Sequence, residues 1–340
     1  MPLSRPASAA DIHYRVEPTD LHAHLFTVTL TVQRPTASQE LSLPVWIPGS
    51  YLVREFSKNL QALAARQGQR ALQTAQLDKH RWQVQCTEGK PLVLTYQVCA
   101  YDSSVRTAWL DASRGFFNGT SLCLRVHGQE TQPHTLELAR TAATATWAAA
   151  TGLRPLDADK QGFGLYAAAD YDELVDCPVE LGNFWVGRFK ACGVAHQFVV
   201  AGAAPSFDGK RLLADTQKIC ETAIRFWHRE GKAPFKSYVF MLNAVGDGYG
   251  GLEHRNSTAL ICGRRDLPRQ GEARASEGYT TLLGLISHEY FHTWNVKRLR
   301  PAEFARYDYA QENYTELLWF FEGFTSYYDD LLLRRAGLLD

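Results

Sequence analysis

The stretch "SHEYFHTWNVKR", Ser287 to Arg298, sets His288 and His292 four residues apart around Glu289. On an α-helix, residues i and i+4 lie one turn apart on one face, so two imidazole nitrogens can address a single ion. Glu289 then stands beside that ion, where a carboxylate can take a proton from water. Two such histidines can also be core residues satisfied by backbone carbonyls. The run "TTLLGLISHEYFH" is apolar on nearly every face, however. Burying two histidines and a glutamate there is costly unless they are paired or coordinated.

A catalytic zinc usually takes three protein ligands and leaves one position open, and His/His/Glu is one standard set. The downstream candidates are Glu303, Glu312, Glu316 and Glu322. Glu303 follows Pro301 in a loop, whereas Glu312 and Glu316 fall in the polar opening of an expected last helix, where acids ordinarily serve the helix start. Glu322 lies in "LLWFFEGFTSYY" among Trp319, Phe320, Phe321 and Phe324. The helix is expected to bury it, and a buried carboxylate needs a cation or a donor. Glu322 is therefore chosen as the third ligand, with Gly323 expected to admit a neighbouring backbone. Asp329, two turns further along the same face, can hold a ligand histidine by its other ring nitrogen or can simply face solvent.

The elements that must position these groups fall into two regions. Through about residue 170 the pattern is period two: Phe26, Val28, Leu30 and Val32 share one face, as do Leu92, Leu94, Tyr96 and Val98. That is β-sheet. Pro44 and Pro48 confine "LSLPVWIPGS" to a sheet edge or a bulge. In the second half, Leu212, Thr216, Ile219, Cys220, Ala223 and Trp227 form one helical stripe between Gly209 and Gly231. A strand "SYVFMLNAV", the Gly-rich "GDGYGGLEH", the histidine helix and a final helix through "NYTELLWFFEGFTSYYDDLLLRRAGL" follow. The fold class expected is α+β multidomain. An N-terminal antiparallel β-sandwich or saddle domain spans 1–174, and a catalytic domain spans 175–340.

A length of 340 residues agrees with two domains at roughly 100–200 residues each. Lys+Arg and Asp+Glu both number 36, without a basic run, so nucleic acid is not an expected partner. Seven cysteines lack any C-x-x-C pair and read as thiols of a reducing compartment. The N-terminus has no apolar signal core, and no window reaches the roughly 18 apolar residues of a membrane span. The expected location is cytoplasmic, without membrane contact, so the sequons at Asn118, Asn256 and Asn313 carry no meaning.

With "HEYFHTWN" and "WFFEGFTSYY" both in view, the sequence resembles the gluzincin metallopeptidases. Within them it looks most like the M61 glycyl aminopeptidase family, a relative of the M1 aminopeptidases. "PVWIPGSYLVREFSKNL" at 44–60 is similar to that family's N-terminal domain and "GGLEHRNST" at 250–258 to its substrate-binding strand. The resemblance implies a thermolysin-like catalytic domain, incomplete in its helical C-terminal part, with the oxyanion-stabilising tyrosine beyond Asp340. It implies Zn2+ held by His288, His292 and Glu322, with Glu289 as general base. Glu253, after Gly250 and Gly251, matches the glutamate of the M1 motif G-x-M-E-N, which holds a substrate's free α-amino group. His254 stands in place of that motif's asparagine. The 29 residues between His292 and Glu322 exceed the 18 common in the M1 enzymes, whose spacing would fall on Gln311. "VKRLRPAEFARYDYAQ" is therefore an excursion.

The function expected is zinc-dependent removal of glycine or alanine from peptides with a free N-terminus. The alternatives are a thermolysin-type endopeptidase and a non-catalytic binding fragment with vestigial zinc. Serine chemistry lacks G-x-S-x-G, no cysteine stands in a nucleophile motif, and "GDGYGG" lacks the G-K-[ST] ending of a phosphate loop. His/His/Glu also binds other divalent ions.

Overall fold

The computed structural model describes residues 10–340; the start of the N-terminal segment read above for a signal core, residues 1–9, lies outside them. The period-two segments form the central strands of an eight-stranded sheet, in which Leu25–Val32 pairs antiparallel with both Ile12–Asp20 and Leu92–Cys99. Phe26, Val28, Leu30, Val32, Leu92, Leu94, Tyr96 and Val98 all point to the core. The sheet is not purely antiparallel, because Ile12–Asp20 runs parallel to His134–Leu138. Two four-stranded sheets complete this mostly β region, one on Ser38–Ser42 and Arg81–Gln85, the other on Arg114–Phe117 and Val179–Gly182. Two short helices, α1 (Gly119–Leu122) and α2 (Tyr171–Val175), lie between strands.

Val179–Gly182 still pairs with strands of the first half, and Trp185–Ala191 opens a separate five-stranded sheet. The chain thus changes sheets at 183–184. The order in this sheet is Trp185–Ala191, Val194–Ala201, Ser237–Val245, Ser257–Gly263 and Gly250–Glu253, with both edge strands antiparallel to a parallel centre of three. Ser237–Val245 reads as a continuous apolar run because both faces are covered. Val239 and Met241 enter the core shared with the β region, whereas Tyr238, Phe240 and Leu242 pack under the helices.

Three longer helices cover that second face: α3 (Gly209–Trp227), α4 (Glu277–Phe291) and α5 (Leu318–Arg335). Asp208 caps α3 by accepting from Arg211 N, and Ser276 caps α4 by accepting from Tyr279 N. The α3 stripe is buried from Leu212 through Ala223, with Trp227 half-buried. The last helix begins later than its sequence suggests, so Glu312 and Glu316 lie in the loop before it. "LSLPVWIPGS" departs from expectation too. Its strand ends at Ser42, before Pro44, and residues 43–50 form an almost wholly buried irregular segment. The excursion after His292 docks back on the β region, where Val45 N donates to Tyr309 O at 2.8 Å and Tyr309 Oη donates to Asp172 Oδ1 at 2.8 Å.

Candidate active site

α4 and α5 pack against each other and bring three electron-pair donors together. His288 Nε2 and His292 Nε2 are 3.1 Å apart, and Glu322 Oε2 lies 3.6 Å from the first and 3.5 Å from the second. The outward ring nitrogens are both engaged. His288 Nδ1 donates to Asp329 Oδ2 at 2.9 Å, and His292 Nδ1 donates to the carbonyl of Asn295 at 2.8 Å. These bonds fix the tautomers so that both Nε2 lone pairs point inward. Asn295 is fixed in turn by donating to Phe321 O and Thr325 Oγ1 on α5, each at 3.1 Å. Two imidazole lone pairs and a carboxylate that converge without a donor among them fit a divalent cation such as zinc.

Electrostatics point the same way. Burial opposes charge on His288, but Asp329 and Glu322 outweigh it and raise the group to about 10. Burial likewise opposes ionisation of Glu322, but the two histidines hold its carboxyl well below the ordinary range. The cluster is built to stabilise positive charge.

Glu289, one position after the first histidine, is buried against Gly250–Glu253. A Cβ on Gly251 would overlap the Glu289 carboxylate, so only glycine lets the acid lie flat on the strand. Glu289 Oε2 is buried with no protein partner. Burial, and next the charge of Glu253, push this carboxyl up to about 7.

Glu253 shares the face of Gly251, since residues i and i+2 of a strand project to the same side, about 7 Å apart. Its exposure is only 8%, and among the described residues its carboxylate has no ion pair or hydrogen bond. Gly250, with φ of 156°, opens this strand. His254, the next residue, turns away and donates from Nδ1 to Asp176 Oδ1 at 3.1 Å.

Glu322 is not enclosed as its sequence context suggests. Its side chain is 35% exposed, Trp319 is 68% exposed, and of the four surrounding aromatics only Phe321 is buried. The helix is apolar on several faces, but only the stripe through Phe321, Thr325, Leu332 and Leu333 meets the core. Gly323 admits no neighbour either, because a Cβ there would meet open space. Glu303 lies in a short 3-10 turn and comes near Thr315 rather than the histidines.

Sequence reasoning did not single out Asn295, Asp176, Lys297, Gly49 or Tyr51. The turn leaving α4 carries its own mark: Val296 adopts φ of 131°, a strained conformation for a β-branched residue, between the Asn295 carbonyl that holds His292 and the buried Lys297. Tyr51 comes from the β region. Burial, followed by the carboxylates of Glu322 and Glu253, holds its phenol well above the ordinary value.

Two family models match the chain, the Peptidase M61 N-terminal domain over residues 13–183 and M61 glycyl aminopeptidase over residues 281–340. An aminopeptidase N family protein from Idiomarina loihiensis superposes with a TM-score of 0.94 at 45% identity. The match covers 97% of this chain and 55% of that one, so the chain spans about half the length of that relative. An M1 zinc metallopeptidase from Deinococcus radiodurans gives a TM-score of 0.54 at 16% identity over 98% of this chain and 73% of that one, a likeness of fold alone. A search of curated protein sequences returned no match. With a family model over half its length, the chain belongs to the M61 glycyl aminopeptidase family of metallopeptidases.

Proposed function

We propose that the chain carries the centre of a zinc-dependent aminopeptidase that removes glycine or alanine from peptides with a free N-terminus. The observation that carries this reading is Glu253, a nearly buried carboxylate without a protein partner, on the strand that faces Glu289. A carboxylate so placed is satisfied by a ligand cation, and an α-ammonium exists only at a chain end, which limits cleavage to the first residue. The five-stranded sheet with its antiparallel edges, covered by α3 and α4, supports a thermolysin-like catalytic region that begins where the chain changes sheets, at 183–184. The free thiols among the described residues support a cytoplasmic location. Among the described residues, no helix is long and apolar enough to cross a membrane.

His288, His292 and Glu322 would hold the zinc, whose chemistry is Lewis-acid polarisation of the scissile carbonyl and acidification of water. Asp329 and Asn295 hold the two imidazoles in the ligating tautomer. Glu253 binds and orients the ammonium. Glu289 takes the proton from the attacking water on its carboxylate and later delivers it to the leaving amine.

Two measurements test this reading. Zinc per chain in the wild type and in Glu322→Gln is expected at about one and well below one; equal content would displace Glu322 from the ligand set. Hydrolysis of a glycyl peptide against its N-acetyl form is expected to be lost on acetylation. Equal rates would favour the endopeptidase alternative.

A further inference from the structure

The β region reaches the strand of Glu253 through one braced turn. Trp46 Nε1 donates to Ser50 O at 2.7 Å, and Ser50 N donates to Ile47 O at 3.0 Å. Ser50 Oγ accepts from Arg54 Nε at 2.8 Å and donates to Leu52 O at 2.9 Å, while Arg54 N donates to Val45 O at 2.7 Å. Gly49 stands at the apex with φ of 86°, and its carbonyl accepts from Arg106 Nε at 3.4 Å. The backbone of the turn is thus held on both sides of the glycine.

A Cβ on Gly49 would lie 2.6 Å from Leu252 Cδ1 and 2.9 and 3.0 Å from the two carboxylate oxygens of Glu253. Leu252 and Glu253 are successive residues of an edge strand, and their side chains leave opposite faces. A point that close to both lies beside the strand, along its unpaired edge. The turn therefore packs against that edge, with no room for one methyl group between its backbone and the carboxylate. Nothing else among the described residues orients the Glu253 carboxylate by an ion pair or a hydrogen bond, although it is nearly buried. Contact is what remains to fix it, and both of its oxygens stand against Gly49.

We infer that Gly49 is a positioning residue for amine recognition: its bare backbone, held by the turn, sets the Glu253 carboxylate and closes the amine subsite on the side of the β region. This rests on the aminopeptidase reading. The subsite is then a joint product of two regions. The catalytic region supplies the charge, and the β region supplies the surface that keeps the charge in place. Placement matters because a charge-assisted hydrogen bond needs a short distance and good alignment. Glycine serves at 49 on two counts, its positive φ and its missing Cβ.

The test uses the full chain with zinc bound, in a Glu289→Gln background so that no turnover occurs. Calorimetry compares glycinamide with N-acetylglycinamide, and the readout is the preference for the free amine. Gly49→Ala is expected to lower that preference about tenfold or more, through weaker binding of glycinamide alone. Gly128→Ala is the matched control, since Gly128 has φ of 84° in the same β region and a Cβ there meets nothing within 4 Å. It carries the same backbone strain and is expected to leave the preference as it is. Combined with Glu253→Gln, Gly49→Ala is expected to add no further loss. Zinc content is expected to stay at the level of the background throughout. Where Gly49→Ala does not fold, Ser50→Ala takes its place, because it cuts the tie to Arg54 and adds no atom beside Glu253; a severalfold loss of preference is expected. An unchanged preference in the folded variant, an equal loss in Gly128→Ala, a loss that adds to that of Glu253→Gln, or a loss that comes with loss of zinc overturns the inference. If the background itself binds both ligands equally, the amine-anchor reading fails and takes this inference with it.

Discussion

Gly251 backs directly onto Glu289, with no room for a single methyl group between the edge strand and the carboxylate. The carboxylate proposed as general base is thus positioned by a missing side chain on another element. Gly251→Ala is expected to push the Glu289 carboxylate off its site and lower kcat by about a hundredfold, since misplacement of a catalytic group by about 1 Å has effects of that order. Zinc content is expected to be unchanged, because the atoms that a Cβ on Gly251 would meet first all belong to Glu289 and none to the three residues proposed as ligands. Loss of zinc along with activity would mean that the glycine supports the metal cluster instead.

Glu253 gives a prediction of a different kind. Replacing its carboxylate in Glu253→Gln removes the charge while keeping the shape, so the free-amine substrate loses a charge-assisted hydrogen bond of about 1.5–3 kcal/mol. The expected outcome is a fall in kcat/KM of about ten- to a hundredfold for glycyl peptides, with no fall for their acetylated forms. Steady-state kinetics on both substrates decides it, and an equal fall for both would mean that Glu253 acts on something other than the amine.

How much of this was legible in the sequence varies by element. The alternation through Phe26, Val28, Leu30 and Val32 is a local signal, and the strand it marks lies at the centre of the largest sheet. The spacing of His288 and His292 is local in the same sense. The surroundings of Glu322 were not legible. A helix apolar on every side does not say which stripe meets the core, and Trp319 and Phe324 point outward while Phe321 points in. Gly49 was invisible as a site residue because it sits some two hundred residues from Glu253 in the chain, and only the docking of the β region on the edge strand brings it there. The same holds for Asp176, whose partners follow it by about eighty and about one hundred and twenty residues.

That carboxylate ties the site together from behind. Asp176 Oδ1 accepts from Lys297 Nζ at 3.0 Å and His254 Nδ1 at 3.1 Å, and Oδ2 accepts from Arg255 N at 3.1 Å. Burial disfavours the ionised acid, but Lys297 and then His254 outweigh it and hold the carboxyl below its usual range. One acid of the β region thereby anchors both the strand of Glu253 and the turn after His292. Asp176→Asn leaves Lys297 charged and buried without a counter-ion, so about 3–5 kcal/mol of stability should be lost. Adding Lys297→Met should restore part of it by removing the orphaned charge. Urea unfolding of the two variants is the measurement, and an unshifted midpoint for Asp176→Asn would show that Lys297 finds another partner.

His196 makes stability depend on pH through an aromatic pocket beneath α4. It lies among Phe189, Phe235, Tyr238, Phe240 and Tyr290; its Nδ1 donates to Val194 O at 2.9 Å, and its Nε2 accepts from the Tyr290 hydroxyl at 2.9 Å. Among the described residues, the titratable groups packed against its ring are the phenols of Tyr238 and Tyr290, both pushed above the ordinary tyrosine value by burial and so uncharged. No carboxylate is at hand to favour the imidazolium, and burial, against the smaller pull of the Val194 carbonyl, lowers the group to about 4 from 6.5. The fold therefore holds His196 neutral where the unfolded chain would protonate it. Above pH about 6.5 this has no effect, whereas between about 6.5 and 4 the unfolded chain gains a proton the fold refuses, and stability falls by about 3 kcal/mol in all. Chemical unfolding at pH 7.5 and pH 5 should show a smaller loss in His196→Gln, which keeps a polar partner for Tyr290 and does not titrate, than in the wild type. Equal losses in both proteins would assign the acid sensitivity to other histidines.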